Sequence, residues 1–310
     1  MKKIRLALIA GGLSGEREVS LAGAAGVEQA LDRDRYVVHR YDPATDLARL
    51  AAEAGDLDVA FILLHGLYGE DGTMQGFLDL LGLPYQGSPV LGSAMAMDKN
   101  VAKIMYQQAD LPVAPWIMAS SADLDSPQLV KAGLRFPVVI KPARQGSSLG
   151  MSIAKDDAEL AAGLRLALEH DSEVMVEEYI QGREITVGVL GNDDPAPLPL
   201  VEIVPDSRFA FFDYEAKYQP GATREICPAE VSDDVRTTAQ EYALKAHQAL
   251  RLRGYSRTDM ILRDGELFLL ETNTIPGMTP TSLFPQAAAA AGLSFSALLD
   301  RLIDLALETA

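Results

Sequence analysis

Residues 257–273 read Arg257-Thr258-Asp259-Met260-Ile261-Leu262-Arg263-Asp264-Gly265-Glu266-Leu267-Phe268-Leu269-Leu270-Glu271-Thr272-Asn273. An Asp-Gly pair between two runs of this kind signals a hairpin turn. The spacing predicts strands over Tyr255–Leu262 and Glu266–Glu271. Side chains alternate along a strand, so Arg257 and Asp259 share one face, as do Glu271 and Asn273. A regular two-residue turn would set Asp259 opposite Leu270 and put Glu271 on the wrong face. An odd-length loop or a β-bulge is therefore expected, since either restores the facing of Asp259 and Glu271. Two carboxylates and an amide form a hard oxygen site suited to Mg²⁺, which takes few protein ligands and completes its shell with phosphates and water. The competing reading is a solvated face of an edge hairpin. Against it, the apolar run Leu267–Leu270 feeds straight into Glu271, as a buried strand does when it ends at a site.

Working outward, residues 4–10 form an apolar run closed by Gly11-Gly12. A helical pattern follows in which Leu21, Ala24, Val27 and Leu31 share a face. Tyr36–Tyr41 reads as a second strand, and Val59–Leu64 is a continuous apolar run of the kind a parallel sheet buries on both sides. Strand, helix, strand, helix, strand describes an N-terminal doubly wound parallel α/β domain over 1–98. Two polar loops, 12–16 and 65–72, lie at the strands' carboxyl ends, where such sheets bind ligands. Beyond Asp98 the pattern changes to mixed α+β. A helix is predicted over Lys99–Gln108, and a short strand between Pro112 and Pro115. Further strands are predicted over Phe136–Lys141, Met151–Ala154 and Val174–Tyr179, with a helix over Asp156–Glu169. Segment boundaries fall at 99–182 and 183–310. The last part carries strands Glu184–Leu190 and Leu198–Val204 and an irregular aromatic-rich stretch over 205–220. It continues with a helix capped by Ser232, the hairpin, and a helix from Ser294.

The loop Gly146-Ser147-Ser148-Leu149-Gly150 fits two templates. As G-x-S-x-G it would be a nucleophile elbow with Ser148 attacking an ester, which requires a helix to start at once. Met151–Ala154 instead looks extended, so a strand–loop–strand flap covering a polyphosphate is favoured, with Lys141 aimed at the phosphates. There is no G-x-x-x-x-G-K-[ST] sequence, so a nucleotide would not be held by a P-loop. The acidic strand end Glu177-Glu178-Tyr179-Ile180 and Glu184 after Gly182 could serve an adenine edge and ribose hydroxyls. His65 caps the Val59–Leu64 strand, where functional loops sit. His39, His170 and His247 lie in ordinary patterns and read as surface or cap residues.

Across 310 residues the net charge is −17, which argues against nucleic acid as a partner. Hydrophobic residues at 48% and charged residues at 23% describe a globular chain. Cys227 stands alone, so no internal disulfide or thiolate metal cage is expected, and a reduced cytoplasmic setting is the simplest reading. Lys2, Lys3 and Arg5 before an apolar run faintly resemble a secretory signal. The run is too short, and a buried first strand is expected instead. No stretch is long and apolar enough for a membrane span.

Taken together, GGLSGEREVSL (11–21), HGLYGEDGTMQG (65–76), MDK (97–99), VVIKPARQGSSLGMS (138–152), DYEAKY (213–218) and RTDMILRDGELFLLETNTIPGMTPTSL (257–283) resemble the D-alanine–D-alanine ligase family of ATP-grasp enzymes. The resemblance runs in order over essentially the whole chain. It implies an ATP-grasp fold of three domains, with ATP between the central and C-terminal ones. It further implies ligation of two D-alanines through an acyl phosphate, for peptidoglycan precursors, by a cytoplasmic homodimer. Lys99, Lys141 and Lys217 would hold phosphates, Glu177 with the backbone of Glu178 and Ile180 the adenine, and Glu184 the ribose. Asp259, Glu271 and Asn273 would bind two Mg²⁺, or Mn²⁺, with Glu271 bridging. Glu16 would take the first ammonium in a set with Ser147 and Tyr218, with His65 near that substrate's carboxylate. Ser282 and the backbone of Leu283 would hold the second carboxylate, and Arg257 with the Gly277 N–H the tetrahedral oxyanion.

The chain departs from the family at Phe212, at Arg144-Gln145 before the flap, and at Glu178-Tyr179 in the hinge; none of these touches the metal set. Tyr218 goes with dipeptide formation in the family and favours D-alanine over D-lactate or D-serine as second substrate. A nucleotide-binding protein without turnover is the other class of reading, disfavoured because all three metal candidates are present.

Overall fold

The computed structural model describes residues 2–124, 133–146, 149–205 and 223–308. The chain opens with β1 (Ile4–Ile9), α1 (Arg17–Ala30), β2 (Tyr36–Tyr41), α2 (Leu47–Glu53) and β3 (Val59–Ile62), and the strands form a parallel sheet in the order β2-β1-β3. Every residue of β3 is buried, as its unbroken apolar sequence requires of a strand covered on both faces. α1 buries Ser20, Gly23, Ala24 and Val27, with Leu31 just beyond its end. Leu21, expected on that face, is exposed. The reason is polar: Ser20 Oγ accepts from the Gly11 N–H at 2.7 Å and donates to the Leu63 carbonyl at 2.5 Å, so Ser20 takes the inward position.

Three helices follow, α3 (Thr73–Leu81), α4 (Val90–Met97) and α5 (Lys99–Gln108). Asp98 starts α5 by accepting from the N–H groups of Asn100 and Val101, both at 3.0 Å. A second sheet contains β4 (Trp116–Ser120), β5 (Val138–Pro142), β6 (Ser152–Ala154) and β7 (Glu173–Glu178), with α6 (Asp157–Leu168) against it. Its strands are antiparallel in the order β4-β7-β5-β6. The strand expected between Pro112 and Pro115 is absent. Val113 makes an isolated bridge to Leu269, and the strand begins only after Pro115, since the flanking prolines carry no N–H for a ladder.

The third sheet is built from β8 (Arg183–Gly191), β9 (Ala196–Pro197), β10 (Val201–Pro205), β11 (Thr223–Ile226), β12 (Gly254–Arg263) and β13 (Glu266–Asn273). Its order is β11-β10-β8-β12-β13, with β9 on β8. α7 (Asp233–Ala249) covers one face, its first turn capped by Ser232 as the sequence predicts. The hairpin turn is the two-residue Asp264-Gly265, both at positive φ (53° and 86°). The register runs Arg263↔Glu266 to Met260↔Leu269 and then shifts, so that Asp259 pairs with Glu271 and Leu270 is the extra residue. The bulge, not an odd-length loop, restores the facing.

A helix absent from the sequence prediction, α8 (Leu283–Ala290), precedes the C-terminal α9 (Phe295–Glu308). α9 returns to the first sheet: Leu298, Leu299, Leu302 and Ile303 share a core with Leu6, Leu8, Phe61, Tyr255 and Phe284. Asp300 accepts from Tyr36 Oη at 2.6 Å. This packing fixes the parallel sheet's loops against the hairpin end, which is where the candidate site lies. His247, read as a surface or cap residue, is instead buried on α7, with Nδ1 2.8 Å from Ser256 Oγ. Among the described residues no helix is long and apolar enough to cross a membrane.

Candidate active site

A cleft lies between the second and third sheets. Val139, Lys141, Ile153 and Glu177 line it from one side, and Glu184, Asp259, Ile261, Leu270 and Glu271 from the other. Cross-strand register explains the first wall. Val139 pairs with Glu177 and Lys141 with Met175, so Val139, Lys141 and Glu177 face the same way. On the second wall the bulge matters again, because two consecutive β13 residues opposite one β12 residue both reach the cleft, Leu270 and Glu271. The floor is thus apolar at Val139, Ile153, Ile261 and Leu270, and charged at one end. That combination suits a flat heterocycle carrying an anionic tail.

Glu177 is 3% exposed, and Lys141 Nζ lies 2.5 Å from its Oε1. Lys103 Nζ, on α5, pairs with its Oε2. Burial by itself would raise the Glu177 carboxyl, but the two ammonium groups outweigh it and hold it down at about 2. Burial also draws Lys103 below the usual lysine range against the pull of Glu177. Contact at both carboxylate oxygens is that of charged partners, and we read the trio as ionised. At the hinge, the Glu178 N–H donates to the Pro115 carbonyl at 3.0 Å. A backbone hydrogen bond between Glu178 and a ligand would therefore be one its carbonyl accepts. Ile180 and Glu184 line the same cleft.

At the charged end, Asp259 is buried and its carboxylate is gripped by Arg257, Nε to Oδ1 at 2.8 Å and Nη2 to Oδ2 at 2.7 Å. Thr186 Oγ1 donates to Asp259 Oδ1 at 2.6 Å. Asn273 Oδ1 accepts from the Ile275 N–H at 2.9 Å, which fixes the amide's orientation. Lys99 Nζ is 3.6 Å from Glu271 Oε2 and donates to the Gln145 carbonyl at 2.6 Å. Among the described residues no three His, Cys, Asp or Glu side chains form a metal cluster. The donors are two carboxylates and an amide, with the Arg257 guanidinium as the resident countercharge on Asp259. Such a set fits a hard divalent ion that takes its remaining ligands from a polyphosphate and water.

A second cavity adjoins the first and shares Lys99, Gln145, Gly146 and Glu271 with it. Its other lining residues include Glu16, His65, Glu70, Arg257, Asn273, Gly277 and Ser282. The Glu16 carboxylate lies in a slot made by two glycines: an added Cβ would come 3.1 Å from its Oε2 at Gly66 and 3.3 Å at Gly146. Gly66 also has φ +71°, so both space and backbone call for glycine there. Burial keeps the His65 imidazole below the usual histidine range, more than Glu16 raises it, so the ring is neutral near pH 7. Glu70 accepts from the Gly66 N–H at 2.7 Å, and its carboxyl is pushed up to about 8 by burial and by the Glu16 charge. At the far end, Ser282 is the residue before α8 and its Oγ accepts from the Thr279 N–H at 3.1 Å. The first N–H groups of an eight-residue helix therefore begin at Leu283, on the cavity wall, where a carboxylate is favoured.

Of the residues named from the sequence, the two cavities gather Glu16, His65, Lys99, Lys141, Glu177, Glu178, Ile180, Glu184, Arg257, Asp259, Glu271, Asn273, Gly277, Ser282 and Leu283. Ser147, Ser148, Phe212, Lys217 and Tyr218 lie outside the described residues. The elbow reading has no support from its surroundings, since Ser152–Ala154 is a strand and the next helix starts at Asp157. Three participants escaped sequence reasoning: Lys103, Glu70 and Thr186. The i, i+4 spacing of Lys99 and Lys103 on one predicted helix was the available signal for the first.

Residues 105–304 match the family model described as D-ala D-ala ligase C-terminus, and 44–88 the one described as D-ala D-ala ligase N-terminus. The chain is 60% identical over 309 residues to a D-alanine–D-alanine ligase of Desulfotalea psychrophila, covering 99% of this chain and 96% of that one. It is 58% identical over 307 residues to a D-alanine–D-alanine ligase of Syntrophobacter fumaroxidans, with 99% of each covered. Among solved structures, the D-alanine–D-alanine ligase of Bacillus anthracis complexed with ATP superposes with a TM-score of 0.86 at 35% identity, covering 99% and 98%. VanG D-Ala:D-Ser ligase of Enterococcus faecalis also gives 0.86, at 32% identity, covering 98% and 100%.

Proposed function

The chain belongs to the D-alanine–D-alanine ligase family, and we propose that it joins two D-alanine molecules at the expense of ATP, in the cytoplasm, for peptidoglycan precursor synthesis. The observation that carries this reading is the shared wall: the nucleotide cleft and the amino-acid cavity meet at Lys99, Gln145, Gly146 and Glu271. A γ-phosphoryl group and a substrate carboxylate would meet there, where the described walls of the two cavities coincide. We propose the segments 1–98, 99–182 and 183–310 as the three domains, and a homodimer as the assembly.

In this reading ATP lies in the first cleft, its adenine at Glu177, the Glu178 carbonyl and Ile180, its ribose at Glu184, and its phosphates at Lys99, Lys141 and Lys217. Glu16, with Ser147 and Tyr218, takes the ammonium of the first D-alanine, and the neutral His65 lies by its carboxylate. An oxygen of that carboxylate attacks the γ-phosphorus, the bond to the β-bridging oxygen breaks, and ADP leaves. Positioning and charge neutralisation by Lys99 and Lys141 supply most of the rate in such a transfer. Asp259, Glu271 and Asn273 would hold two Mg²⁺ (or Mn²⁺), which when bound neutralise phosphate charge. The second D-alanine, its carboxylate held by Ser282 and the Leu283 N–H, attacks the acyl carbon as a free amine. Arg257 and the Gly277 N–H stabilise the oxyanion until phosphate departs. Enclosure of the acyl phosphate keeps water from it.

The test is ADP release by the purified protein with Mg²⁺ and ATP, adding D-alanine, L-alanine, D-serine or D-lactate, with products identified by mass. Release dependent on D-alanine alone, yielding the dipeptide, is expected. Release only when D-serine or D-lactate accompanies D-alanine would assign a different second substrate. No release with any of them would leave a nucleotide-binding protein.

Glu70 adds a pH signature. An ammonium beside Glu16 favours the ionised form of Glu70, so binding pulls its pKa below about 8 and releases a proton at pH 7. The KM for the first D-alanine is therefore expected to fall as pH rises from 6.5 toward 8, by up to about tenfold per unit. Glu70→Gln should flatten that slope. An unchanged slope in the variant would show that Glu70 does not sense the substrate.

A further inference from the structure

Lys103 is wholly buried, yet it belongs to neither cavity wall. Its ammonium is held from three directions. It pairs with Glu177 Oε2, donates to the Ala114 carbonyl at 3.3 Å, and lies 5.3 Å from the centroid of the Trp116 ring. Lys141, on the opposite oxygen of the same carboxylate, does line the nucleotide cleft. One carboxylate thus serves two lysines, one locked inside the protein and one at the ligand surface.

The charge count gives this arrangement a purpose. With a single lysine, Glu177 and Lys141 would form a closed neutral pair, and an incoming phosphate would have to compete with a buried carboxylate for the ammonium. With Lys103 fixed on Oε2, the trio carries one net positive charge, and that charge is at Lys141. We propose that Lys103 is a positioning residue for the nucleotide: it neutralises Glu177 permanently, so that Lys141 is available to the polyphosphate. Glu177 can then also face the base without capturing the phosphate ligand. The inference rests on the reading above in which Lys141 meets the phosphates of ATP.

The experiment compares ATP with adenosine as ligands of the full-length protein, because adenosine lacks the part of the molecule that Lys141 would touch. Lys103→Met, close in length and without charge, is expected to weaken ATP binding about 10- to 100-fold while changing adenosine affinity less than about twofold. In steady state the KM for ATP should rise more than kcat falls. Adding Glu177→Gln to Lys103→Met removes the carboxylate charge that would trap Lys141. The double variant should therefore regain ATP affinity relative to adenosine. This variant also carries the test if Lys103→Met alone does not fold, since it removes the buried carboxylate charge together with the Lys103 charge that balanced it; it should then keep the wild-type ratio of ATP to adenosine affinity. Equal weakening of both ligands in Lys103→Met would show Lys103 to be a packing element and overturn the proposal. So would a double variant whose ratio stays low. Lys141→Met separates the two layers: if it leaves the ratio unchanged, the phosphate role of Lys141 fails, whatever Lys103 does.

Discussion

Arg257→Met is expected to lower kcat by about 10²- to 10³-fold, the usual cost of removing one donor from an oxyanion site, while lowering the Mg²⁺ concentration needed for half-maximal rate. The two effects have one structural origin. Arg257 lines the amino-acid cavity while two of its N–H groups hold both oxygens of Asp259. Burial alone would lower the guanidinium, but its pair with Asp259 and the nearby Glu271 charge outweigh burial and raise it beyond its ordinary range. Removing it would take away the donor proposed for the developing oxyanion. It also leaves Asp259 with Thr186 at 2.6 Å and, among the described residues, no paired cation, which favours a divalent ion there. A loss of kcat with a rise in the Mg²⁺ requirement would mean that Arg257 only scaffolds the metal set. A change of less than about twofold in kcat would remove it from the oxyanion role.

The hairpin carrying this site was legible from the sequence because strand alternation and the Asp264-Gly265 turn conflicted. Two residues of acidic chemistry could face each other only if the ladder were irregular, and the structure places the irregularity at Leu270. The helix capped at Ser232 was legible for a similar reason: a local hydrogen bond decides it. What escaped depends on distant partners. Lys103 has the sequence context of an ordinary polar position on an amphipathic helix, and only the packing of α5 beneath β4 and β7 brings it to Glu177 and Trp116. Glu70, between Gly69 and Asp71, lies in a loop the sequence marked as ligand-facing, but nothing local singles it out until Glu16 is folded near it. Leu21 misled because an apolar residue at the right spacing was outweighed by the two hydrogen bonds of Ser20, one accepted from the Gly11 N–H and one donated to the Leu63 carbonyl. α8 was missed because its Ala-rich run after Pro280 has no charged face to reveal a period.

Glu16→Gln is the second large effect, and its pH dependence is what makes it informative. Glu16 is the carboxylate seated between Gly66 and Gly146, and it faces the cavity in which the first ammonium would bind. Its charge also raises Glu70, so the variant changes two groups together. Loss of a partly buried charge pair costs about 2–5 kcal/mol, which corresponds to a rise in the KM for the first D-alanine of about 30-fold or more. Without the Glu16 charge, Glu70 ionises at lower pH, because burial is then the main cause left to hold its proton. Glu70 is therefore expected to take over part of the ammonium's attraction already at pH 6.5, where the parent's Glu70 is still protonated, making the defect relative to the parent smaller at pH 6.5 than at pH 8.5. The Glu16→Gln, Glu70→Gln double variant should show the larger defect at both values. KM measurements on the three proteins at the two pH values decide the matter. A defect in the single variant that is equal at both would place Glu70 outside the ammonium's field, and would leave Glu16 as its sole carboxylate partner.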